Sequence, residues 1–424
     1  MNWQGYSGDD ILSLADRLHQ QGRLLHQRGQ LIEAEKILKQ SLFQYEMVNY
    51  FLQAPVHYDL AEVYFDQVKY DEAFHHYASA LQIWKNQKKC HPYMANALNN
   101  LGLICQCKCD YFESEEYYIE AVETYKETLG LNNPNSATCL INFAKLNIQT
   151  GNYTNAEKLL RQALSSCENN KDKVSMMVIG MGYRNLAHVS AMQYRYVEAE
   201  KFEIKGLSIR ERILGRNHVE YAESLDCLAL LYQTLERYEE AEQCHMQALS
   251  IFERGNWRSD IAKCLNNIGL LYFKKKQFEL SEQYFIRAIK IKEEGGTQTH
   301  LSLATSLLNL SCVYISQKKF KEAEKQLKRS LSIKESVLRQ DNPQLANVYL
   351  SMGEFYLFVG NYDIAESYTN KAVKTALTLG SDSNDYIAST YQLSRILASK
   401  KRFYEAFDLC HLLRLSLFNP QILL

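Results

Sequence analysis

Residues 265–288 begin Leu265-Asn266-Asn267-Ile268-Gly269-Leu270-Leu271-Tyr272, pass through Lys276-Gln277-Phe278, and continue from Ser281 to Ala288. Apolar residues recur at three- and four-residue spacing on both sides of Lys276-Gln277, which predicts a helix, a short turn and a second helix. The same pattern recurs ten times. A small residue marks the middle of each first helix, at Gly22, Ala61, Gly102, Ala144, Ala187, Ala229, Gly269, Ser311, Gly353 and Ser394. Successive marks stand 39 to 43 residues apart, the signature of a helical solenoid.

Two further columns fix the register. Twelve residues after each mark stands alanine or serine, from Ala34 and Ala73 through Ser281 to Ala406. Nine residues after it stands an aromatic residue in every repeat but the first, which has Leu31. Helices cross closely only where the contact residue is small, and the ring is expected to plug the wedge between them. Repeats then start near 11, 54, 93, 135, 177, 220, 260, 302, 344 and 385, filling 11–418 between a polar lead, 1–10, and a tail, 419–424.

Each helix pair buries its apolar face against its neighbours, and 46% hydrophobic residues suffice for that. Forty-eight basic against forty-nine acidic residues leave a net charge of −1, so no global field draws the chain to nucleic acid or anionic membrane. Eleven cysteines, an odd number scattered through helices, suit a reducing compartment. With no apolar signal core and no 18-residue apolar run, a soluble, cytoplasmic protein is expected.

The linkers carry a subtype. Leu129-Gly130-Leu131-Asn132-Asn133-Pro134, Leu214-Gly215-Arg216-Asn217-His218-Val219 and Leu338-Arg339-Gln340-Asp341-Asn342-Pro343 join successive pairs, and His91-Pro92 precedes the third. Proline at the start of a helix forfeits an amide proton that has no partner there. The chain resembles the tetratricopeptide repeat, in the long form of about 42 residues found in kinesin light chains. That resemblance implies an all-α, right-handed superhelical solenoid whose first helices line a concave groove. No heptad run matches the coiled coil through which kinesin light chains join their motor, so a motor-adaptor role is not implied.

Two residues before the mark, five repeats carry asparagine: Asn100, Asn142, Asn185, Asn267 and Asn309. One amide per repeat at one helical phase makes a ladder, and an amide offers both donor and acceptor to a peptide unit. By resemblance to kinesin light chains, these asparagines would contact a partner's extended peptide. The other reading is that they bond neighbouring helices and serve folding. Beside the ladder lie the basic candidates Lys145, Arg184, His188, Lys263 and Lys274, the acidic Glu223, Asp226 and Glu354, and apolar neighbours including Leu270 and Phe273. An extended peptide with an acidic element over the middle repeats fits this set.

Cys105, Cys107 and Cys109 invite a metal reading, but a closed site needs about four ligands and no paired set supplies them. No metal, cofactor or catalytic constellation is expected, because nucleophile elbow, phosphate loop and zinc-protease motifs are absent. The expected function is non-catalytic: a scaffold holding a protein or peptide partner. The alternative is a regulatory or peptide-sensing subunit of a complex whose catalytic part is on another chain. The apolar run His411–Phe418 and the tail suggest self-association or assembly through that end.

Overall fold

The computed structural model describes residues 8–48, 50–87, 92–108, 110–130, 132–167, 172–295, 300–339, 342–379 and 383–417. Cys90, His91, Cys109 and the segment 418–424 lie outside them. Among the described residues all regular structure is α-helix apart from two short 3-10 turns. It forms a solenoid of paired helices: α1 (Gly8–Gln27) with α2 (Leu31–Val48), α3 (Gln53–Asp66) with α4 (Tyr70–Asn86), α5 (Pro92–Cys107) with α6 (Tyr111–Thr128), α7 (Pro134–Gln149) with α8 (Tyr153–Cys167), and α9 (Lys173–Met192) with α10 (Tyr196–Leu214). The series continues with α11 (Val219–Thr234) and α12 (Tyr238–Arg254), α13 (Arg258–Lys274) and α14 (Phe278–Glu294), α15 (His300–Ser316) and α16 (Phe320–Val337), α17 (Gln344–Phe358) and α18 (Tyr362–Ala376), and α19 (Asn384–Ser399) and α20 (Phe403–Leu417). The chain divides into two compact units, 1–216 and 217–424, of five pairs each.

Within a pair, the small mark faces the residue sixteen positions later. A Cβ on Gly102 would come within 3.0 Å of the Tyr118 ring, one on Gly269 within 2.9 Å of Phe285, and one on Gly22 within 2.5 Å of Leu38. Tyr118, Phe285 and Leu38 are fully buried. The serine twelve after the mark closes the same crossing from the other side: Ser114 Oγ donates to the Gly102 carbonyl at 2.8 Å and Ser281 Oγ to that of Gly269 at 2.7 Å. The expected aromatic plug is therefore elsewhere. Tyr111, Phe278 and Phe403, nine after their marks, open the second helices and none is buried. At a helix start the side chain points back over the turn, so the ring shields the corner and leaves the crossing to the residue two turns on.

The turn has a column of its own. Seven residues after the mark the backbone is left-handed in nine repeats, at Gly29, Gly151, Gly360, Val68, Tyr194, Glu236, Lys276, Lys318 and Lys401. This is the usual helix C-terminal reversal, and six of the nine carry a side chain into a region that suits glycine. The linker prolines do what the sequence requires: Pro134 is the first residue of α7, with the Asn133 side chain accepting from the Asn135 amide at 2.8 Å.

Candidate functional site

The asparagine column lies on the first helices, and its bonds follow a rule. Asn142 Nδ2 donates to Asn99 Oδ1 at 3.1 Å, Asn267 Nδ2 to Asp226 Oδ2 at 2.9 Å, and Asn309 Nδ2 to Asn266 Oδ1 at 3.3 Å. In each case the acceptor is the residue three before the mark of the preceding repeat. Asn100 reaches the preceding repeat differently, donating to Glu62 Oε1 at 2.8 Å and Tyr77 Oη at 2.9 Å. Asn185 departs because the acceptor position before it is the apolar Ile141, and its Nδ2 turns back to Met181 O at 2.9 Å in its own helix. Gln392, in the same column, donates to the Leu350 carbonyl at 3.1 Å.

In the first unit, α7 and α9 bring Lys145, Arg184, Asn185 and His188 onto neighbouring first helices. Lys145 is exposed, with Nζ 3.5 Å from Asn142 Oδ1. Partial loss of water and then the Arg184 guanidinium lower its pKa, and the same two causes lower that of His188. Two cationic groups, Lys145 and Arg184, thus share one face with an imidazole whose charged form is disfavoured. Behind them Glu203 on α10 is buried with Oε1 lacking a hydrogen-bond partner. Burial pushes its carboxyl up to about 7, against the pull of Arg184 and Arg210. Arg210, also buried, donates to the Gly180 carbonyl at 3.1 Å.

In the second unit the candidates spread along α13. Lys263 is exposed and paired with Asp260 at 3.1 Å. It lines an open cavity of ≈ 390 Å³ with Arg258 and Lys292. Burial and then Lys263 lower the Lys292 pKa to about 8, and its Nζ donates to Ser302 O at 3.0 Å and Ser306 Oγ at 2.8 Å. Lys274 Nζ lies 3.5 Å from the Gln233 carbonyl. Phe273 is half-buried and meets Phe278 with ring centroids 5.7 Å apart, so only part of it faces solvent.

One constellation escaped the sequence reading. Asp226 on α11, His245 on α12 and Cys264 on α13 bring their ligand-type atoms within 4.8 Å of one another, the one such group of three among the described residues. His245 Nδ1 is 2.7 Å from Asp226 Oδ1, and its Nε2 2.7 Å from Gln233 Nε2. The three are separated by nineteen residues each, without a short ligand spacing. The signal was columnar: sixteen after the mark stand Leu38, Tyr77, Tyr118, Leu160, Phe285 and Leu327, but Glu203, His245 and Thr369 in repeats five, six and nine and Cys410 in repeat ten. The cysteine run of α5 stays apart from it, with Cys105 buried and its thiol pushed up to about 12 by burial, and Cys107 exposed. Among the described residues no helix is long and apolar enough to cross a membrane.

Residues 52–107, 93–169, 179–254 and 260–336 match the sequence family described as tetratricopeptide repeat. No curated protein matches the chain in sequence. Among solved structures it is similar to the apo form of RapI, at 15% identity over 86% of this chain and 98% of that one, with a TM-score of 0.61. It is also similar to a signal transduction ATPase with a tetratricopeptide repeat sensor from Pyrococcus horikoshii, at 16% identity over 82% of this chain and 52% of that one, TM-score 0.55. BtubC (BKLC) from P. vanneervenii shares 23% identity over 52% of this chain and 90% of that one, TM-score 0.47.

Proposed function

The chain belongs to the tetratricopeptide repeat family, and on that premise we propose that it is a non-catalytic scaffold whose first-helix faces hold an extended, acidic segment of a protein partner. The observation that carries this reading is the placement of Lys145 and Arg184 on neighbouring first helices beside His188, the pKa values of Lys145 and His188 being lowered first by partial loss of water and then by the Arg184 charge. Like charges held together at a surface are relieved by an anion, and aspartate or glutamate side chains of a bound segment supply one. Asn185 stands among them with an amide that no neighbouring repeat uses, placed to pair with the segment's peptide units. In the second unit, Lys263, Lys274 and the exposed part of Phe273 supply charge and apolar contact beside Asn267 and Asn309. Asn100 in the first unit and Asn267 and Asn309 in the second combine two duties in this reading, each within its own unit: their Nδ2 groups join repeats, and their half-buried flanks meet the segment there, while the buried Asn142 joins repeats.

Selection of displayed random peptides on the purified chain tests the proposal. Acidic sequences should be enriched, their binding should weaken steeply with salt, and Lys145→Glu should abolish the enrichment. Peptides without acidic bias, or equal recovery by the Lys145→Glu chain, would overturn it.

A further inference from the structure

We propose that Asp226, His245 and Cys264 form a binding site for one thiophilic divalent cation of the zinc class, within the second unit where α11, α12 and α13 meet. Zinc takes sulfur, imidazole nitrogen and carboxylate oxygen in tetrahedral sites, with ligand atoms about 3–4 Å apart. The three donors already converge to within 4.8 Å from three successive helices. His245 and Cys264 are fully buried and Asp226 is mostly so, its side chain 15% exposed.

Charge favours a cation over a mere polar cluster. A carboxylate and a thiolate together cancel a divalent ion, so the loaded site is neutral and its burial costs little beyond dehydration. Placing a polar group in the crossing column is otherwise a loss. Phe285, in the equivalent place of the next repeat, is fully buried in a hydrophobic cluster. Two of the ligands are themselves held by neighbours. Asn267 Nδ2 holds Asp226 by its second oxygen at 2.9 Å, and the buried Gln233 abuts His245 Nε2 at 2.7 Å. Hydrogen bonds to the outer atoms of ligands fix their orientation in metal sites.

The proton count closes. Binding releases the Cys264 thiol proton to solvent, leaving a thiolate on the ion. Nδ1 of His245 gives up its present bond to Asp226 and coordinates, and the ring proton relocates to Nε2. The Gln233 amide, whose nitrogen now also donates to the Asn267 carbonyl at 3.2 Å, gives up that bond and turns over so that its Oε1 accepts the hydrogen bond from Nε2–H. The fourth position falls to water entering along the edge of Asp226 that stays exposed.

The experiment uses the full chain, stripped with a chelator and titrated with Co²⁺ as a spectroscopic probe, then with Zn²⁺ as competitor. Expected are one equivalent of tetrahedral Co²⁺, a near-ultraviolet thiolate-to-cobalt band, displacement by Zn²⁺, and a melting midpoint raised by Zn²⁺. Cys264→Ser and His245→Phe place in these columns residues that other repeats already carry there, Ser306 and Phe285, so both should fold. The thiolate band should vanish in the first and the Zn²⁺ stabilisation in both. Gln233→Ala should weaken binding about 10–100-fold with the band retained. A wild-type chain without the thiolate band, or one whose Zn²⁺ stabilisation persists in both ligand variants, would overturn the site.

Discussion

In repeat seven the side chain that meets the small residue of the first helix is Phe285, and in repeat five the same position holds Glu203. Both are almost wholly buried, at 0% and 3% exposure. One repeat thus spends its central contact on packing. The other keeps a carboxyl with an unpartnered oxygen directly behind the cationic first-helix face. A solenoid tolerates this because each repeat touches only its neighbours, so a polar centre in one does not dissolve the stack. What the contrast teaches is that the crossing position decides stability where it is apolar and electrostatics where it is not.

The widest separation of the two repeats should come from truncation. Phe285→Ala leaves a cavity with nothing to refill it and should cost about 3–5 kcal/mol in denaturant unfolding; a loss under 1 kcal/mol would mean the crossing can collapse. Repeat five should answer to pH instead. The Glu203 carboxyl sits at about 7 in the fold against an ordinary 4.5. The folded state therefore binds the extra proton between those values, and stability should fall as pH rises from 4.5 to 7, by up to about 3 kcal/mol, and then level off. Glu203→Gln should flatten that window; an unchanged slope would locate the titration elsewhere.

Smaller effects test the shared turn column. Gly151→Ala, at φ 79°, should destabilise by about 1 kcal/mol, and Lys318→Gly, at φ 61°, should stabilise by a comparable or smaller amount. Opposite signs at one structural position would tie the effect to backbone conformation alone. Least of all should depend on Lys319–Glu282, an exposed pair at 2.9 Å between repeats seven and eight. Glu282→Gln should move stability by under about 0.5 kcal/mol, and less in high salt.

The repeat itself was legible because its period and small marks are constraints of close helix crossing. At Gly22, Gly102 and Gly269 a Cβ would collide with the facing side chain, and the other marks hold nothing larger than alanine or serine, so the sequence records them. The aromatic column was legible as a pattern but misplaced in space: Phe278 caps a corner where Phe285 does the packing. The left-handed column stayed hidden because Tyr194, Glu236 and Lys318 accept strained backbone at positions where glycine would have announced it. Of the ladder, the phase was readable and the bonds were not. Asn267 and Asp226 lie 41 residues apart, and only folding makes one the acceptor for the other. The same holds for Asp226, His245 and Cys264, whose spacing resembles no ligand motif.

The ladder's two meanings separate most cleanly at Asn185, whose amide bonds within its own helix at 2.9 Å. The affinity of a selected acidic peptide for the wild-type chain and for Asn185→Ala, measured beside both melting midpoints, is the direct test. A peptide held through that amide should bind the variant about tenfold more weakly, the worth of one well-made hydrogen bond, with melting unaltered. Equal affinities, or a variant that melts early while binding as before, would contradict the claim that the first-helix amides grip a partner's backbone.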